Sequence, residues 1–245
     1  HARYILQWER HQYSIRSGSG GQAELRGPNL KNQDWNHTIT NGTHDEYYGH
    51  IHRAAHHYYY KDIQQLNRPH QNGFWRPQMK IAAKYEPNGQ INGIHYSLVL
   101  NPFGFFNNIK IFNPHFQSWR IYATTIHELT HSAHFTANKL KFILTHDKVK
   151  ESWARGVQGV LTRMVYPNYL EPEIRPEYTL VVRDLIDNNY KYGDTEVTGD
   201  LTSGYTIKEL EISLAKTWLD WRINIINDHT NNSEQHVQDT FIFWN

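Results

Sequence analysis

Thr125-Ile126-His127-Glu128-Leu129-Thr130-His131 is the stretch that decides how this chain is read. On a helix, His127 and His131 stand at i and i+4, one turn apart on one face. Two imidazole nitrogens in that relation can meet a single metal ion. Glu128 falls beside them, within reach of a water that the metal activates. A carboxylate there can accept the water's proton and deliver it to a leaving amine. The spacing therefore points to metal-assisted hydrolysis, usually of peptide bonds. Short matches of this kind arise by chance, and a chain with 17 histidines raises that chance. The flanks argue the other way. Ile121, Tyr122, Ala123, Ile126, Leu129 and Ala133 make the segment, expected as a helix over 119–137, largely apolar. Histidine and glutamate on such a helix need a reason to leave water, and a metal supplies one.

A catalytic zinc site takes three protein ligands and keeps a fourth position open. A third histidine six residues after His131 would mark the metzincin arrangement, but position 137 is Ala and His134 replaces the glycine of that pattern. His134 lies about one turn beyond His131, as an alternative ligand or a wall residue. Glu151 is the better candidate. It sits in Lys150-Glu151-Ser152-Trp153-Ala154-Arg155-Gly156, near the start of a second amphipathic helix. Val149, Trp153, Val157, Val160, Leu161 and Met164 trace the apolar stripe of that helix. The macrodipole alone would also favour a glutamate there.

Nineteen residues, 132–150, separate His131 from Glu151, and with that gap the chain resembles the gluzincin zinc metallopeptidases in their thermolysin-like branch. The resemblance implies Zn²⁺ held by His127, His131 and Glu151, Glu128 as general base, and a peptide or protein substrate. It extends over roughly residues 40–160, specific at the zinc motifs and loose elsewhere. In the family a Tyr-rich helix comes first, then a sheet with an edge strand, then the metal-binding helix. Residues 44–61 look like that first helix: Thr43 and Glu46 form a capping-box pair, and Tyr47, Ile51, Ala54, Ala55 and Tyr58 recur at helical spacing. Residues 106–112 are expected as the edge strand, which in the family pairs with the substrate backbone and would bring Asn107 and Asn108 to the cleft.

The resemblance also implies a donor for the developing oxyanion. Tyr205, in Ser203-Gly204-Tyr205-Thr206, is the first choice, with packing at a helix start as the plain structural explanation and Tyr178 and His229 as alternatives. Two positions depart from the family. Lys150 stands where Asn is usual, and Arg155 stands where an Asp usually orients a ligand histidine. Asp147 or Asp184 is then expected to take that part.

The expected fold class is α+β and zincin-like: an N-terminal extension over 1–43, a mixed lobe over 44–137 with a small sheet and the active-site helix, and a helical lobe over 138–245. A chain of 245 residues suffices for one large domain or two lobes. A net charge of +1 leaves no electrostatic footprint for nucleic acid. No run of 18 apolar residues exists to span a membrane. The absence of cysteine excludes disulfides, thiol catalysis and cysteine-bound zinc, and fits an exported bacterial protein or a cytosolic one; export is the expectation. His50, His52, His56 and His57 cluster on the first helix, but no third ligand completes a site there, so they are expected at the core edge.

Elsewhere, residues 3–15 read as a strand or short helix and Ser17-Gly18-Ser19-Gly20-Gly21 as a loop or linker. Residues 80–85 and 94–100 read as strands, with turns at 87–89 and 101–104. Helices are expected over 178–188 and, as one long element behind a Thr206/Glu209 capping box, over 207–227. Two other readings use the same residues: a zinc hydrolase of a non-peptide substrate, and a non-catalytic binding module that keeps zinc for structure. Glu128 argues against the second, because a structural site needs no base; Arg155 argues mildly for it.

Overall fold

The computed structural model describes residues 2–30, 34–74, 76–86, 91–96, 108–171, 174–187 and 202–245. The expected turns at 87–89 and 101–104, the end of the expected strand at 97–100, and Asn107 lie outside these residues. The chain is mixed α+β and divides into two compact units, His1–Lys61 with Arg68–Ser132, and Asp62–Asn67 with Ala133–Asn245.

The first unit holds β1 (Ala2–Gln7), β2 (Glu9–Arg10), β3 (Tyr13–Arg16), β4 (Glu24–Leu30), α1 (His44–Tyr60), β5 (Met79–Ala83), β6 (Gly93–His95), β7 (Ile109–Ile111) and most of α2 (Ser118–Ala137). β1 and β4 pair antiparallel as a two-stranded sheet. The other five strands form a sheet in the order β2-β3-β5-β7-β6. Its inner pairs, β3 with β5 and β5 with β7, are parallel, and its outer pairs are antiparallel. The segment expected as an N-terminal extension thus supplies two strands to this sheet, and Tyr13 and Ile15 are completely buried in it. The Gly/Ser run is an ordered turn: Ser17 N–H donates to Gly21 O at 2.8 Å, and Gly20 takes φ +93°, where a side chain would be strained.

The strand expected at the sheet edge lies inside the sheet. Among the described residues it forms over β7, between β5 and β6, and β6 closes the sheet. Burial explains the order. Ile109 and Ile111 are both fully buried and suit an interior strand, whereas all three residues of β6 are partly exposed.

α1 starts at Thr43, whose hydroxyl accepts from Glu46 N–H at 3.3 Å. The return bond runs one residue upstream of a reciprocal capping box, with Glu46 accepting from Gly42 N–H at 2.6 Å. The buried face of α1 ties the unit together. Tyr47 donates to Ile111 O at 2.8 Å, Tyr58 to Thr130 Oγ1 at 3.4 Å, and His57 hydrogen-bonds Tyr122 of α2. His52 lies against Tyr13 and Trp8, and burial, reinforced by His56, holds its pKa down to about 4.

The second unit is helical: α3 (Lys139–Leu144), α4 (Asp147–Arg163), α5 (Val181–Ile186), α6 (Ile207–Ser213), α7 (Trp218–Asp228) and α8 (Glu234–Phe243). Val149, Trp153, Val157 and Leu161 of the α4 stripe are buried, while Val160 is partly exposed and Met164 is exposed. The long helix expected over 207–227 is two helices. The Thr206/Glu209 capping box opens α6 as expected, but the chain turns extended at Leu214, and Thr217 starts α7 by accepting from Asp220 N–H at 3.1 Å. The break serves the core. Trp221 meets Trp153 and Phe241 edge-on at 6.5 and 5.5 Å, and its N–H donates to Leu210 O at 3.3 Å. Among the described residues no helix is long and apolar enough to cross a membrane.

α4 and α5 meet through Gly156, where an added Cβ would lie 2.3 Å from Val182 Cβ. Alanine is favoured over glycine inside a helix by about 1 kcal/mol, but overpacking costs about 1–3 kcal/mol and outweighs it. Gly156→Ala is expected to lower the free energy of unfolding by up to about 2 kcal/mol in urea titration. Adding Val182→Ala should cost less than the two single changes combined, because each relieves the other's defect.

Candidate metal centre

Helix α2 carries the central residues because most of its surface is apolar and buried: Ile121, Tyr122, Ala123, Ile126, Leu129 and Ala133 are each 3% exposed or less. Its buried hydroxyls are satisfied within the helix, Thr125 by Ile121 O at 2.8 Å and Thr130 by Ile126 O at 2.9 Å. His127, Glu128 and His131 are also buried, each less than a tenth exposed. Three adjacent polar side chains removed from water in this way call for strong compensation.

The Nε2 atoms of His127 and His131 are 3.1 Å apart, with the rings nearly perpendicular. Zinc–nitrogen bonds of about 2.0–2.1 Å at a tetrahedral angle place two ligand nitrogens about 3.3 Å apart. The two imidazoles therefore already converge to nearly the spacing that one zinc ion requires. Glu151, partly exposed on α4, completes the set: one ligand atom from each of His127, His131 and Glu151 lies within 4.8 Å of the others. Two imidazoles and one carboxylate are the donors of a catalytic zinc with an open fourth position. The residues present fit the ion.

The other expected participants have the following surroundings. His134 is buried but packs edge-on against Phe142 at 5.1 Å and is not part of the convergent group. Asn108, expected to line a cleft, is a structural bridge: its Oδ1 accepts from Lys80 N–H at 3.0 Å and its carbonyl from Tyr96 N–H at 2.7 Å. Arg155 is buried, with its guanidinium over the Tyr178 ring at 5.3 Å. Of the two carboxylates expected to replace the usual Asp, exposed Asp147 pairs with Lys150 at 2.7 Å, and Asp184 accepts from Trp244 Nε1 at 2.6 Å. His229 lies 2.9 Å from Ser213 Oγ.

Tyr205 is 2% exposed in the second unit. Burial first, then Glu234 and Glu209, push its pKa up to about 12, so it stays protonated. Its hydroxyl is buried beside Ser233, whose own Oγ is committed to Ser203 O at 3.0 Å and Asn231 Oδ1 at 2.9 Å.

The sheet brings a further histidine to this group. His95 of β6 stacks on His131, with centroids 6.5 Å apart and planes 27° from parallel. Burial, then His131 and His70, hold its pKa down to about 3, so the ring is neutral. No sequence signal links residue 95 to residue 131, because the sheet pairing alone joins them.

No protein-family model matches the sequence, and no curated protein or solved structure matches it.

The donor set predicts one zinc ion per chain, measurable by elemental analysis after dialysis. His131→Ala and Glu151→Ala should each lower zinc affinity by at least about tenfold, while His134→Ala should leave the stoichiometry unchanged.

Proposed function

We propose that the protein is a zinc metallopeptidase of the gluzincin type on a zincin-like fold. The observation that carries this reading is the convergence of His127, His131 and Glu151, with Glu128 on the same helix beside the two histidines. Bound by these residues, zinc would act as a Lewis acid toward a water and a scissile carbonyl. Glu128 takes the proton from the attacking water as the new C–O bond forms. It then returns that proton to the amine nitrogen as the C–N bond breaks.

Strand β6 offers a surface for the peptide backbone. Phe112 N–H donates to Asn92 O at 2.9 Å and Tyr96 N–H to Asn108 O at 2.7 Å, so these positions bond toward the sheet interior. By the alternation of an antiparallel ladder, the backbone groups of Gly93 and His95 turn away from β7. An extended peptide added at this edge would run beside Glu128 and His131. In this reading β6 takes the part that the sequence suggested for residues 106–112.

The deciding experiment is digestion of a diverse peptide mixture by zinc-loaded protein, with Glu128→Gln as the control. Specific cuts that vanish in the variant are the expected result. No cuts from protein holding one zinc would favour a non-peptide substrate or a binding role. Because the Tyr205 hydroxyl is buried, Tyr205→Phe is expected to keep kcat within about twofold; a loss near 10²-fold with zinc retained would restore it as the oxyanion donor.

A further inference from the structure

Glu128 lies against a residue with no side chain. A Cβ added to Gly93 would lie 2.6 Å from Glu128 Oε1, 2.7 Å from its Cγ and 2.9 Å from its Cδ. No ordinary Cβ contact is that short. The backbone does not explain the glycine: Gly93 sits in a strand, paired with Ile111, in a conformation open to any residue. The requirement comes from the space that the Glu128 side chain occupies. Two residues further along, on the same face of β6, His95 stacks on His131. One face of this strand thus sets a bare backbone against the carboxylate and an imidazole against a histidine of the convergent group.

We infer that Gly93 is the positioning residue for Glu128, the bare backbone of β6 serving as the wall that sets where the carboxyl group lies. The inference rests on the proposed hydrolase reading for its catalytic meaning, but the fit of Glu128 against Gly93 does not. Any side chain at position 93 takes the volume that the carboxyl fills. The neighbour that must give way is the end of a flexible side chain rather than backbone, so the strand pairing survives and the carboxyl swings aside. Proton transfer depends on that position closely: a displacement of about 1 Å can cost about 10²-fold in rate. The three atoms nearest the added Cβ all belong to Glu128, so this side chain, and not His127, His131 or Glu151, is the first to give way, and metal binding is expected to persist.

The test is Gly93→Ala in the zinc-loaded protein, assayed on a peptide that the wild type cleaves. The expected result is one zinc retained, kcat lowered about 10²-fold and KM nearly unchanged, since alanine keeps the backbone edge of β6. A crystal structure of the variant should show the Glu128 carboxyl displaced, with His127, His131 and Glu151 in place. Gly73→Ala is the control, because a Cβ there meets nothing within 4 Å, and it should turn over like the wild type. Unchanged kcat in Gly93→Ala, or a carboxyl that has not moved, would overturn the inference. If the wild type cleaves no peptide while the variant's carboxyl is displaced, the hydrolase reading fails and the catalytic role of Gly93 falls with it. The steric fit would still stand.

Discussion

The cost of removing polar side chains from water is the constraint on which this structure turns. Helix α2 is packed on most of its circumference, as its buried isoleucines, alanines, Leu129 and Tyr122 require. Its two buried threonines, Thr125 and Thr130, bond to carbonyls of the preceding turn. His127, Glu128 and His131 cannot do this, because imidazole and carboxylate groups reach away from their own helix. Their burial makes sense only with strong partners at the ends of those side chains. Two nitrogens 3.1 Å apart, aimed together, suit the small cation proposed for this site.

The rest of the first unit holds that helix at a defined place. α1 reaches β7 through Tyr47 and α2 through Tyr58 and His57, so one buried aromatic face connects sheet and helix. The short strand β6 then brings Gly93 and His95 against the polar residues of α2. Its place at the sheet edge follows from its weak apolar content, and the same place leaves its backbone groups at positions 93 and 95 turned away from β7.

Much of this was legible in the sequence. The i, i+4 histidines, the apolar flanks of α2, the stripe of α4 and the starts of α1 and α6 all depend on neighbours within one or two helical turns, and each formed. Misreadings came where distant residues decide. The apolar positions after residue 207 have a continuous helical period, yet α6 ends at Ser213 and Thr217 with Asp220 starts a second helix, from which Trp221 reaches Trp153 and Phe241. Residues 109–111 look like any short apolar strand, and only pairing with both β5 and β6 makes them interior. Asn108 was expected at the cleft because the resemblance made 106–112 the edge strand, but its side-chain oxygen accepts from Lys80 N–H within the sheet.

By itself the sequence determined the chemistry of the donors and their local order: two imidazoles one turn apart, a carboxylate between them, and a second carboxylate on a later helix. That much follows from helical periodicity, a property of the backbone over a few residues. Only the tertiary structure decided that Glu151 joins the two histidines, that Tyr205 is buried with its hydroxyl beside Ser233, and that Gly93 leaves room for Glu128. The reason is physical. Convergence of groups far apart in the chain is set by which apolar faces pack together, and a pattern of local periods does not state which face meets which.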